Sequence, residues 1–312
     1  MEESEIKLST HSGRICDLWA SHAWYVPGLK SMFALFGLWV AGMILTGILE
    51  EIMQSLLPEN VMIYKSLVSD VLQYIPVIIY VARKSLRNSK TETGYKPVSS
   101  HFGPFKGWQL ALIIVVLTFA YMMASDLINY WNEKLVMLIP AMQSLMDLLQ
   151  GALENFEKIP VWIFVFTAIV YAPVFEEWLC RGMVLRGLLA KMKPAWAIVL
   201  SALFFSIIHM NPIQGVNAFL LGLILGYVYY KTGSLWLTMF LHFVNNSSAF
   251  LRALLPGEGG YIMNAVPMTA YVVMCVLGIV VLVACLMAFR RIPLEQKRGN
   301  IDEVVPRNQT EP

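Results

Sequence analysis

Residues 161–183 read VWIFVFTAIVYAPVFEEWLCRGM. The stretch is mostly apolar and long enough to cross a bilayer, whose hydrocarbon core takes about 20 such residues. Yet Glu176, Glu177 and Arg181 lie inside it. A charge at membrane depth is costly, so by default it marks a functional site. Two apolar segments further on carry polar groups in the same way: Phe205-Ser-Ile-Ile-His209 and His242-Phe-Val-Asn-Asn246. One intramembrane charge can be an accident of packing. Two glutamates, an arginine, two histidines and an asparagine on three neighbouring segments point to a site.

The rest of the chain agrees with that setting. Hydrophobic residues make up 57% and charged residues 14%, and the mean hydropathy is +0.61. Soluble domains carry about 25% charged residues, so the expected class is all-α, a polytopic membrane helix bundle. Segments near 31–49, 66–82, 108–125, 161–183, 195–209, 214–230, 234–252 and 267–289 predict about eight transmembrane helices. The fifth and sixth are joined by Met210-Asn-Pro-Ile-Gln214 and read as a hairpin. Pro173 should perturb the fourth, because proline lacks the amide donor and clashes with the preceding turn. Lys and Arg gather in alternate loops, at 83–106, 186–193 and 231 and in the tail from Arg290. By the positive-inside bias both termini then face the cytoplasm. The organisation read from this is a cytoplasmic segment 1–30, a transmembrane domain 31–289 with its chemistry in 160–255, and a polar cytoplasmic tail 290–312. Leu135–Leu149 suits an interfacial helix. No signal peptide is read at the start.

Composition also removes alternatives. A net charge of +2 with dispersed positive residues excludes nucleic acid as a partner. Four cysteines without C-x-x-C spacing support neither a disulfide framework nor a thiolate zinc site. Cys180 reads as a small packing residue.

Helical geometry sorts the polar groups. Glu177 and Arg181 are four apart and share a face, so they can neutralise each other. Glu176 is turned about 100° away, leaving its carboxylate free for chemistry. Phe205 and His209 share a face, as do His242 and Asn246. A His and an amide together suit an orienting or oxyanion-binding pair, or plain interhelical hydrogen bonding. Burial disfavours the charged form of a carboxylate and so brings a glutamate towards the range a general base needs at neutral pH. Amide hydrolysis uses such a set best: Glu176 takes the water proton while histidine and asparagine polarise the carbonyl. A metal-free site is the preferred form. Zinc held by Glu176, His209 and His242 is the alternative, although no H-E-x-x-H helix is present. Asp70 and Asp126 either line a polar cavity or cap and snorkel, Glu50-Glu51 lies at a helix end, and His11, His22 and His101 fall in polar segments; all are set aside as site residues.

Taken in order, E-E-x-x-x-R, F-x-x-x-H and H-x-x-x-N resemble the CAAX protease and bacteriocin-processing (CPBP, or Abi) family of intramembrane proteases, to which the type II CAAX prenyl endopeptidases belong. The resemblance is close over about 160–255 and topological elsewhere. It implies that Glu176 activates water with His209, that His242 and Asn246 bind the oxyanion, and that Glu177, Arg181 and Phe205 support the site. The expected activity is an intramembrane endopeptidase acting on membrane-associated proteins or peptides, in a bacterial cytoplasmic membrane or, alternatively, the endoplasmic reticulum. The competing readings are a non-proteolytic scaffold or immunity protein of the same fold, and a proton-coupled transporter. A transporter should show two related halves, and no internal repeat is visible.

Overall fold

A computed structural model describes residues 25–58, 64–90, 102–144, 160–253 and 261–293. His11, His22, His101, most of the N-terminal segment and nearly all of the tail lie outside them, as do residues 145–149 of the expected interfacial helix. Among the described residues there is no strand. The helices are α1 (Leu29–Leu56), α2 (Lys65–Leu72), α3 (Ile75–Lys90), α4 (Gly107–Val136), α5 (Val161–Leu189), α6 (Pro194–Ile208), α7 (Pro212–Thr232), α8 (Leu235–Ala253), the short α9 (Ile262–Ala265) and α10 (Met268–Arg290). Five of them, α1, α4, α5, α7 and α10, are long and apolar enough to cross a membrane, and α6 is a shorter apolar helix. The protein is a polytopic helical membrane protein. Its apolar surface fits that setting: Val272, Val276, Ile279, Val280 and Val283 of α10 are all exposed.

Each of the eight hydropathy segments coincides with helix, but 66–82 is not one span. It is broken at Gln73-Tyr74 between α2 and α3. Pro76, in the first turn of α3, has no amide hydrogen for the Leu72 carbonyl, so α2 cannot continue through it. The break is held against α1 by close backbone approach. A Cβ on Gly42 would lie 2.0 Å from the Gln73 carbonyl oxygen. Gly42→Ala is therefore expected to push α1 off the break and destabilise the protein by about 1–3 kcal/mol, read as a lower thermal midpoint in detergent. Gly37→Ala on the same helix, where a Cβ meets nothing within 4 Å, should leave the midpoint nearly unchanged.

The hairpin expected at 210–214 forms. Met210 takes a positive φ of 49°, and Asn211 caps α7 by accepting from the amides of Ile213 and Gln214. Pro212 at the first helical position needs no donor there. The α6 and α7 backbones meet closely where Gly222 faces Ala202. On the other flank α4 is tied to α7 and α8 by polar groups. Tyr121 and Asn129 bond to Asn217, and Arg252 of α8 pairs with the buried Asp126 at 3.2 Å. Asp126, set aside on sequence, is thus a structural anchor for the end of α8.

α5 departs most from regular geometry. It is π-helical over Val165–Tyr171 and again over Trp178–Leu185, with a short α-helical stretch, Ala172–Glu177, between. The first wide segment directly precedes Pro173, where the missing amide and the ring clash oppose a normal α turn. Single-turn π segments are frequent at functional sites. Here two of them bracket Glu176 and Glu177.

Candidate active site

α5, α6, α7 and α8 bring the three sequence motifs together around the ring of Phe205. That ring is fully buried. The Arg181 guanidinium lies over it at 4.5 Å from the centroid, and His209 and His242 meet it edge-on at 4.8 and 5.4 Å between centroids. The two histidines therefore share one aromatic contact although they come from different helices.

Glu177 and Arg181 form the expected i,i+4 pair, 2.7 Å apart and both without solvent exposure. The guanidinium also donates to the Gly222 carbonyl at 3.1 Å, which locks α5 to α7. The same Glu177 oxygen lies 3.1 Å from His242 Nδ1. Nδ1–H donates to the carboxylate, so Nε2 is turned the other way, and Glu176 Oε2 is 3.9 Å from it. Glu177 thus orients an imidazole on α8 besides pairing with its own helix, a contact that the sequence reading did not include. A carboxylate on one ring nitrogen fixes which nitrogen faces the chemistry.

Glu176 differs from its neighbour. Its Oε2 is sealed from solvent and has no hydrogen-bond partner among the described residues, and the side chain lines a cavity of about 200 Å³. The other walls are Phe164, Thr167, Ala168, Tyr171 and Ala172 of α5, Asp70 of α2, and Gln73 and Tyr74 at the break. The cavity runs from Glu176 towards the start of α5, away from the basic 186–193 loop. Asp70, set aside on sequence, is one of its walls.

The remaining expected residues meet this cavity only in part. Asn246 donates its amide to the Ala168 carbonyl at 2.8 Å and accepts from Asn245 at 3.2 Å. Ala168 is a cavity wall, so Asn246 reaches the cavity through that residue's backbone, and one of its two amide hydrogens remains for another acceptor. His209 Nδ1 bonds to the Phe205 carbonyl one turn back, at 2.7 Å, leaving Nε2 as the nitrogen that can act. The sequence reading gave Glu176, His209, His242 and Asn246 the catalytic roles, which a single cavity would have to serve. Glu176 lines this one, His242 and Asn246 are one contact away, and His209 is joined to them through Phe205.

Zinc is the alternative cofactor. Among the described residues no three His, Cys, Asp or Glu side chains converge closely enough to hold a metal ion. Glu176, His209 and His242 in this arrangement therefore do not form a ligand set.

Residues 158–248 match the family model described as Type II CAAX prenyl endopeptidase Rce1-like. The match takes in α5, α6, α7 and most of α8 with every motif position, and it bears out the resemblance to CAAX proteases carried by those motifs. The helices before 158 and after 248 lie outside it. No curated protein and no solved structure matches the chain.

Proposed function

We propose that the protein is an intramembrane endopeptidase of CAAX type, with Glu176 as the base that activates water. The observation that carries this reading is the contrast within one glutamate pair. Among the described residues Oε2 is without a hydrogen bond in both, but Glu177 commits Oε1 to Arg181 and His242, whereas Glu176 has only His242 Nε2 at 3.9 Å from Oε2 and its side chain faces a cavity. A carboxylate that faces a cavity and has no hydrogen bond on Oε2 can reach a water there and take its proton.

In the proposed reaction a water oxygen attacks the scissile carbonyl carbon as Glu176 takes one water proton. His209 orients that water through Nε2. The negative charge growing on the carbonyl oxygen is met by the free amide hydrogen of Asn246 and by Nε2–H of His242 in its doubly protonated form, whose Nδ1–H is held by Glu177. Donors fixed in place ahead of reaction are worth far more in a dry site than in water. When the intermediate collapses the C–N bond breaks, and Glu176 returns the proton to the departing amine. The substrates are membrane-associated proteins or peptides, and the membrane proposed is the bacterial cytoplasmic membrane, with both termini inside. The test is a proteomic comparison of membranes from cells carrying wild type or Glu176→Ala. A protein that accumulates uncleaved in the variant is the substrate, and identical membrane proteomes would count against proteolysis.

Metal dependence has its own outcome. Cleavage is expected to survive strong chelators. Activity lost to chelation and restored by Zn²⁺ would instead give Glu176, His209 and His242 ligand roles.

A further inference from the structure

We propose that the cavity beside Glu176 is an acceptor-lined subsite, with Asp70 as its selecting residue, that takes a cationic or hydrogen-bond-donating substrate side chain and rejects an anionic one. The inference extends the protease reading and rests on it for the word substrate.

Of the donors around the cavity, the Tyr171 and Thr167 hydroxyls are already engaged, while the Gln73 amide and the Tyr74 hydroxyl also line it. The Tyr171 hydroxyl donates to the Val71 carbonyl at 3.2 Å. Thr167 has one O–H, and its acceptors are the Asp70 carboxylate and the Phe164 carbonyl at 3.5 Å. The carboxylates keep acceptor capacity to spare: Asp70 and Glu176 both line the space, and no Lys, Arg or His does among the described residues. Behind Asp70, the Glu50 carboxylate accepts from the Ser69 hydroxyl and adds negative charge to the same side. The cation nearest in sequence to Glu176, Arg181, is committed to Glu177, the Gly222 carbonyl and the Phe205 ring. A recess with two carboxylates on its wall and, among the described residues, no Lys, Arg or His lining it attracts a donor and repels an anion more strongly than an open surface does.

Position tells which part of a substrate would lie there. Thr167 precedes Glu176 by nine residues of helix, roughly 13.5 Å at about 1.5 Å per residue. An extended peptide covers about 3.3 Å per residue. With the scissile bond at Glu176, the Asp70–Thr167 end meets a side chain about three or four residues away. The α2–α3 break fixes Asp70 there, and its seat against Gly42 holds the break.

The test reads the charge of the cavity without relying on cleavage. A reporter thiol is placed by Thr167→Cys in the full chain. Its modification by a cationic and by an anionic methanethiosulfonate is followed by mass spectrometry of the peptide that contains it. With Asp70 present the cationic reagent should react much faster. Asp70→Asn should lower the cationic-to-anionic rate ratio by about tenfold, and Asp70→Glu should keep it. A ratio unmoved by Asp70→Asn would overturn the proposal, as would a reporter thiol that neither reagent reaches. Because labelling needs no peptide-bond hydrolysis, the drop caused by Asp70→Asn should persist in a Glu176→Gln background, whose own ratio starts lower because one of the two carboxylates is gone, so failure of the protease reading would show separately, as absent cleavage with the Asp70 dependence intact. On a substrate found by the membrane comparison, Lys three or four residues from the cleaved bond should be favoured over Glu by roughly tenfold or more, and Asp70→Asn should erase the preference. No preference, or the reverse, would overturn the substrate assignment.

Discussion

Glu176→Gln is expected to reduce cleavage by roughly 10²–10⁴-fold, the range lost with a general base, while the protein stays folded and inserted. The swap keeps the shape of the side chain and removes its capacity to take a proton. It breaks no hydrogen bond to Oε2, because that atom has none among the described residues, and His242 Nε2 is 3.9 Å away. Thermal unfolding of the purified variant should match wild type or exceed it, since a charge with no hydrogen bond on Oε2 has been replaced by a neutral amide. Glu177→Gln should behave differently. That carboxylate holds Arg181 and His242 together, so its loss should lower stability and activity at once. Near-normal cleavage of a confirmed substrate by Glu176→Gln would overturn the mechanism.

What the sequence made legible here was local. The Glu177–Arg181 pair and the Phe205–His209 contact follow from four-residue spacing, and the 210–214 hairpin follows from Asn211-Pro212. The positions of the helices follow from hydropathy. The interruption at Gln73-Tyr74 also had a signal, Pro76, which a hydropathy window averages away. Contacts between helices had none. Glu177 reaches His242 across 65 residues, and Asn246 reaches Ala168 across 78. Both depend on how α8 packs along α5, and the π-helical turns of α5 rotate its side chains away from where α spacing would put them. Asp70 shows the limit most plainly. One aspartate in an apolar helix looks the same whether it caps, snorkels or lines a cavity, and only the packing of α2 against the start of α5 distinguishes them.

Arg181→Ala is expected to cost about 3–5 kcal/mol of stability, the range found when one partner of a buried ion pair is removed, and to lower activity as a consequence. The change does more than delete a charge. It leaves Glu177 fully buried with its cation gone, frees the Gly222 carbonyl and takes the guanidinium off the Phe205 ring. That ring carries both histidines, so the loss reaches α6, α7 and α8 together. The readouts are yield of folded protein and thermal midpoint, set beside specific cleavage. Arg181→Lys should fall between: an ammonium can pair with Glu177, but it lacks the planar fork that serves Glu177 and Gly222 at once and the flat face that stacks on Phe205. If Arg181→Ala instead melted as wild type and yet lost cleavage, Arg181 would belong with the reacting groups. Its three contacts would then serve to aim the guanidinium rather than to hold the helices.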